Sequence, residues 1–179
     1  MILSLRSPIL SLALAIAGLG ALAAPDAQAR ERTRTRSASH VDGARSAAVN
    51  ASASGAHGSR VRARQWQADG QGNAAGSSGA TASRANGASA ARQGSFYRNA
   101  DGSASRQGSA SVDGANGGSA SSSGSIARSA DGSVAGSRQT SATTANGSSY
   151  QGSTTLADGS LSHTGTCTNA AGEVVACRP

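Results

Sequence analysis

Large apolar side chains are scarce in this chain of 179 residues once its first 29 residues are set aside. Aromatic residues make up only 2%, and the hydrophobic fraction of 37% comes mostly from alanine and from the N-terminal segment. Burying a large side chain yields about 1.5–3 kcal/mol, whereas ordering each residue costs roughly 1.5 kcal/mol. The composition therefore excludes a conventional globular core. It leaves two states open, which are disorder and a fold held by backbone hydrogen bonds and by stacking between repeats or molecules.

Lysine is absent, so all 16 basic residues are arginines. Against 9 acidic residues they give a formal net charge of +7. Such an excess attracts polyanions, among them nucleic acid, acidic polysaccharide and anionic lipid headgroups.

Side-chain patterns that carry catalysis or bind cofactors are missing as well. His40, His57 and His163 are scattered, and no pair has the spacing of metal ligands. The chain contains no phosphate-binding loop, no dinucleotide fingerprint and no tandem calcium-binding repeat. Catalysis needs a preorganised site on a rigid scaffold, so the sequence predicts no enzymatic activity, no cofactor and no metal ion.

The N-terminus has the three parts of a cleavable signal peptide. A short segment charged by Arg6 precedes an apolar run from Ile9 to about Ala24, and the small-residue site Ala27-Gln28-Ala29 follows. Gly18 and Gly20 interrupt the run, which is shorter than the roughly 20 residues that span a bilayer. We therefore expect residues 1–29 to direct export to the periplasm or the outside of a bacterial cell. No apolar run follows, so we expect no transmembrane segment after cleavage.

A turn-forming tripeptide, Ala-(Asn/Asp)-Gly, returns along the chain. Asn-Gly and Asp-Gly readily take the positive φ angles of tight β-turns. Five copies follow each other at intervals of 15 residues and the sixth follows after 12, the copies beginning at Ala85, Ala100, Ala115, Ala130, Ala145 and Ala157. A second Gly lies near the middle of each unit, as in Gln93-Gly94-Ser95. Turn chemistry at a fixed period predicts repeats of one turn plus one extended segment.

Two all-β architectures fit these Gly/Ser/Ala-rich repeats, which we place within residues 68–179. In a β-hairpin meander each unit supplies one strand of about ten residues, and the mid-unit Gly forms a kink or bulge. In a β-solenoid each unit of about 15 residues is one coil. The shortened unit before Ala157 disturbs solenoid stacking more than it disturbs a meander, which favours the meander narrowly.

Residues 30–67 differ from the repeats, and we interpret them as a flexible, disordered basic segment. Arginine alternates there with other residues, so that in an extended conformation the arginines share one face. Their density makes them the candidate contacts for a polyanion: Arg30, Arg32, Arg34, Arg36, Arg60, Arg62 and Arg64.

Cys167 and Cys177 are the only cysteines. They lie on either side of Asn169–Gly172, which has the composition of another turn, so a hairpin there brings them to facing strands. In an exported chain an even pair predicts a disulfide. A bond at this position caps the last hairpin and protects the free edge of the array.

Exported repeats rich in Gly, Ser, Gln and Asn resemble bacterial functional amyloid subunits of the curli type. That resemblance implies stacked strand-turn-strand units and self-association through β-edges. The chain departs from the family pattern because it lacks the regular Gln and Asn ladder positions and its repeat is shorter. The sequence thus predicts a non-catalytic structural or surface-interaction protein. The alternatives are a polyanion-binding protein that contacts an anionic polymer or the cell envelope through its arginines, and a curli-like amyloid subunit.

Overall fold

Residues 30–177 are described by the computed structural model of the protein, and the predicted signal peptide lies outside them. They form eleven β-strands and no helix. The strands are β1 Glu31–Val41, β2 Ala44–Gly55, β3 Gly58–Ala68, β4 Ala74–Arg84, β5 Ser89–Arg98, β6 Ala104–Asp113, β7 Ser119–Arg128, β8 Val134–Thr143, β9 Ser149–Ala157, β10 Ser160–Thr168 and β11 Val174–Val175.

All eleven strands belong to one open sheet, in which their spatial order follows their order along the chain. Every neighbouring pair is antiparallel. The all-β prediction is confirmed, and this connectivity is that of a meander. The solenoid alternative is not supported, because each chain segment reverses onto its neighbour instead of coiling.

The basic N-terminal segment is part of this sheet. Strands β1, β2 and β3 pair along their whole length, with registers such as Arg34 opposite Ala51 and Ala51 opposite Arg62. The prediction of a flexible arm over residues 30–67 is therefore wrong. The physical reason is the alternation of arginine with other residues. A strand points successive side chains to opposite faces, so this pattern fits a strand and places the arginines on one face.

The repeated tripeptides form the turns between strands. After β4 the amide of Gly87 donates to the carbonyl of Arg84 at 3.0 Å, and the amide of Arg84 donates to the carbonyl of Ala88 at 2.8 Å. Gly87 has a φ of 87°, so this is the three-residue hairpin loop that ends in a left-handed glycine. Asp42 and Asp158 instead have positive φ together with the following glycine, as in two-residue hairpin turns.

The mid-unit glycines are ordinary ladder positions. Gly94 lies opposite Gly108, and Gly108 lies opposite Gly124, with no residue skipped in either strand pair. The predicted kink or bulge is absent there. Close approach of the backbones explains these glycines, because a Cβ on Gly94 would lie 3.1 Å from the carbonyl oxygen of Gln107.

No residue among the described ones is buried, so this single sheet has no core of its own. Within residues 30–177 no helix is long and apolar enough to cross a membrane. Both faces of the sheet are therefore exposed to solvent, and the side chains on each face determine what that face can bind.

Candidate polyanion-binding face

The sheet has two faces of different composition. Residues directly opposite each other in antiparallel strands point to the same face, and successive residues along a strand point to opposite faces. The continuous registers therefore assign every strand residue to one side. We call the side that carries Arg34 and Arg62 the arginine face, and the side that carries Ser109 and Ser123 the hydroxyl face.

All thirteen arginines in the strands lie on the arginine face, together with most of the large apolar side chains. They come from eight of the eleven strands. They are Arg32, Arg34, Arg36, Arg45, Arg60, Arg62, Arg64, Arg84, Arg92, Arg98, Arg106, Arg128 and Arg138. None of the strand carboxylates shares this face, because Glu31 and Asp113 both fall on the hydroxyl face.

The densest part of the arginine face is a groove along β2. It has a volume of about 410 Å³. One wall comes from arginines of β1 and the other from arginines of β3, while the floor comes from half-buried small side chains of β2. Three successive rows read Arg32-Ala53-Arg60, Arg34-Ala51-Arg62 and Arg36-Val49-Arg64. We call this region the arginine groove.

The electrostatics of the arginine groove are those of uncompensated positive charge. The neighbouring Arg64 guanidinium lowers the pKa of Arg62, and partial burial and then the charges of Arg92, Arg60 and Arg34 act in the same direction. Arginine stays protonated at any physiological pH. The repulsion between these guanidinium groups therefore produces a positive electrostatic potential in the arginine groove, and a bound anion would lower that repulsion.

Five of the eight acidic residues within residues 30–177 lie at one end of the strands. The loops that follow β1, β3, β5, β7 and β9 all contain an aspartate, and we call this end the acidic rim: Asp42, Asp69, Asp101, Asp131 and Asp158. Arg34 lies eight residues from Asp42 along β1, which is about 26 Å of extended chain and well beyond a Debye length of about 10 Å. The acidic rim therefore does not neutralise the arginine groove.

Phe96 and Tyr150 on the arginine face pack on glycines of neighbouring strands. A Cβ on Gly76 in β4 would overlap the ring of Phe96, and a Cβ on Gly165 in β10 would lie 3.0 Å from the ring of Tyr150. The hydroxyl of Tyr150 also lies 3.2 Å from Nε2 of His163. These contacts fit the role of packing across strands. The residues that line the arginine groove include no aromatic side chain.

The cysteine pair lies at the far edge of the sheet from the arginine groove. The turn at Asn169–Gly172 forms as predicted, with the amide of Gly172 donating to the carbonyl of Asn169 at 3.0 Å. It brings the sulfur atoms of Cys167 and Cys177 to 2.12 Å, with the Cα atoms 5.3 Å apart. The disulfide thus ties the segment after β11 to β10.

Of the seven arginines predicted as polyanion contacts, six lie in β1 and β3 on the arginine face, and Arg30 directly precedes β1. The structure adds arginines that the prediction missed, among them Arg92 in the row of Arg34 and Arg62. Arg92 is not part of an alternating run of arginines, so the sequence pattern does not assign it to a face. Only the register between the strands places it on the arginine face.

Comparison with protein family models, with curated proteins and with solved structures finds no match for this chain.

Proposed function

We propose that this protein is an exported, non-catalytic surface protein that binds an acidic polysaccharide through its arginine face. The observation that carries the proposal is the segregation of all thirteen strand arginines onto one face without a carboxylate. A face of this kind concentrates positive potential and attracts polyanions over a distance comparable with the Debye length.

The arginine groove favours a linear polymer. Its walls repeat along the strands every two residues, about 6.7 Å, so anionic groups at many positions of an extended chain meet a guanidinium on either side. Guanidinium groups bind carboxylate and sulfate-like oxygens through paired hydrogen bonds. The apolar floor of Val49, Ala51 and Ala53 can accept the less polar parts of the polymer.

Among polyanions, the absence of aromatic residues from the arginine groove favours polysaccharide over single-stranded nucleic acid. Proteins that bind single strands combine a basic groove with aromatic side chains on which bases stack. The residues that line this groove are arginine, small apolar and hydroxyl side chains.

The test is binding of the oxidised chain from residue 30 onward to heparin over a series of salt concentrations. Each cation of the protein that pairs with the polymer adds roughly one unit to the slope of log K against log salt. We expect the variant R60Q/R62Q/R64Q to lose about three units of slope. The matched variant R106Q/R128Q/R138Q removes the same charge from dispersed positions and should lose less.

Two results would contradict the proposal. Equal losses in the two triple variants would show that only net charge matters and that the arginine groove has no special role. Tighter binding of single-stranded DNA than of heparin at the same salt concentration would show that the ligand is nucleic acid and not polysaccharide.

A further inference from the structure

The hydroxyl face is uncovered in the single chain, and no residue among 30–177 is buried. Stable sheets bury at least one face against a second layer. We propose that the second layer is another copy of this chain, and that two copies stack hydroxyl face to hydroxyl face with their arginine faces outward. This inference concerns assembly and stands apart from polysaccharide binding.

Charge selects the hydroxyl face for this contact. Stacking two arginine faces would bring thirteen strand arginines of each copy together with no carboxylate between them. Like charges placed opposite each other at an interface cost several kcal/mol. The hydroxyl face carries no arginine, and its two strand carboxylates, Glu31 and Asp113, lie at strand ends.

The shape of the hydroxyl face is complementary to itself. A central ridge of four side chains crosses β5 to β8, namely Gln93, Ser109, Ser123 and Gln139. A groove of about 910 Å³ lies on one side of it and a groove of about 850 Å³ on the other. The same four residues line both grooves, so the ridge of one copy can enter a groove of the other, as in the packed interfaces between stacked sheets.

The polar groups of this face are partly satisfied within the sheet. The hydroxyls of Ser59 and Ser83 are hydrogen-bonded across strands at 2.9 Å, and those of Ser121 and Ser141 at 2.8 Å. Burying a hydroxyl that already has a partner avoids most of the cost of an unpaired polar group. A face rich in serine can therefore be covered by a second sheet.

The available area exceeds what a stable pair needs. Ten long strands at about 4.8 Å and ten residues at about 3.3 Å give a face of roughly 1,600 Å², against about 800 Å² per partner in a standard interface. The sheet edges discourage further growth, since β1 carries three arginines and β11 with the disulfide covers one end of the outer edge of β10, at Cys167 and Thr168. We therefore expect a closed dimer instead of a fibre.

The first test is sedimentation of the oxidised chain from residue 30 onward across a range of concentrations, with a mass of two chains expected. The variant S109R/S123R adds two charges to the central ridge and should weaken dimerisation at least about 100-fold. The matched control A110R/S122R adds the same charges to the same two strands on the arginine face and should remain a dimer. Equal disruption by both variants would overturn the proposal, as would a monomer with a β-type circular dichroism spectrum or growth to fibres.

A second test uses the unmodified sequence, in case S109R/S123R fails to fold. Phe96 and Tyr97 are adjacent in β5, lie on opposite faces, and are 40% and 56% exposed in the single chain. In hydroxyl-radical footprinting, oxidation of Tyr97 should fall as the protein concentration rises through dimerisation, while oxidation of Phe96 should stay constant. Protection of Phe96, or constant reactivity of Tyr97, would overturn the proposal.

Discussion

The arginine face and the hydroxyl face share the same strands and the same backbone, yet they carry opposite chemistry. Arg62 and Ala63 are neighbours in β3, but Arg62 belongs to a face of uncompensated positive charge and Ala63 to a face that carries no arginine. The difference comes entirely from period-two alternation maintained through ten consecutive strands. The face to which a side chain points, which is set by its odd or even position along the strand, therefore determines its surroundings more than the overall composition does.

The difference between the two faces gives one sheet two separate surfaces, although the chain has few large apolar residues. A surface that binds a polyanion must remain open to solvent, whereas a surface that supports the fold must be covered. Placing all strand arginines on one side keeps the other free for contact with a second layer. The two roles then need no separate domains.

The largest effect is expected from exchanging neighbouring residues so that three arginines change face. The variant R60V/V61R/R62A/A63R/R64Q/Q65R has the composition and net charge of the parent chain. We expect heparin affinity to fall at least as far as in R60Q/R62Q/R64Q, because the arginine groove loses one wall, and dimerisation to weaken as well, because charge enters the hydroxyl face.

Heparin titration and sedimentation measure these two effects on the same sample. If the exchanged variant binds heparin as the parent chain does, only net charge matters and the distinction between the faces fails. Circular dichroism provides the control that the sheet is retained.

Much of this arrangement could be predicted from residues in the sequence. The tripeptides at Ala85 and Ala100 gave the turn positions, and the spacing gave strands of about ten residues. The sequence favours the meander only through the shortened unit before Ala157, because Asn-Gly permits a turn without fixing whether the chain reverses or coils. It also could not assign isolated arginines such as Arg138 to a face, since that needs the register between strands.

The misinterpretation of residues 30–67 has a similar cause. Low apolar content is typical of disordered chains, and it outweighed the strand-like alternation of Arg32, Arg34 and Arg36. In the structure these residues gain their order from pairing with β2, whose partner on its other side is β3. The local signal for this pairing is the Asp42-Gly43 turn that joins β1 to β2.

An intermediate effect is expected from removal of the disulfide. In C167S/C177S the two-residue strand β11 keeps only its backbone pairing with positions 167 and 168, so the end of the chain should detach from β10. The free energy of unfolding should fall by up to about 3 kcal/mol. Denaturant unfolding of the oxidised parent chain and of the variant measures this loss.

Heparin affinity supplies the control for that variant, because the arginine groove lies in β1 to β3, at the other edge of the sheet. We expect it to be unchanged. A parallel fall in heparin affinity would show that the two edges are coupled and that the arginine face does not act locally.

The smallest effect concerns the acidic rim and its response to acid. A hydrogen bond from Ser103 lowers the pKa of Asp101, and hydrogen bonds from Ser133 lower the pKa of Asp131. A carboxylate whose pKa is lower in the folded state stabilises the fold above its unfolded value of about 3.9, and this contribution is lost as the pH falls through the folded value. Thermal unfolding temperatures should therefore decline below about pH 4.

The variant D101N/D131N separates titration from turn geometry. Asparagine makes the same contact at the opposite end of the sheet, where Oδ1 of Asn86 accepts from the amide of Ala88 at 3.1 Å, so the variant should keep both turns. Its unfolding temperature should decline less steeply in acid than that of the parent chain, while the two proteins bind heparin in the same salt-dependent way. Identical acid profiles would show that these carboxylates act only as turn formers. A change in the salt dependence of heparin binding would show that the acidic rim reaches the arginine groove despite the distance between them.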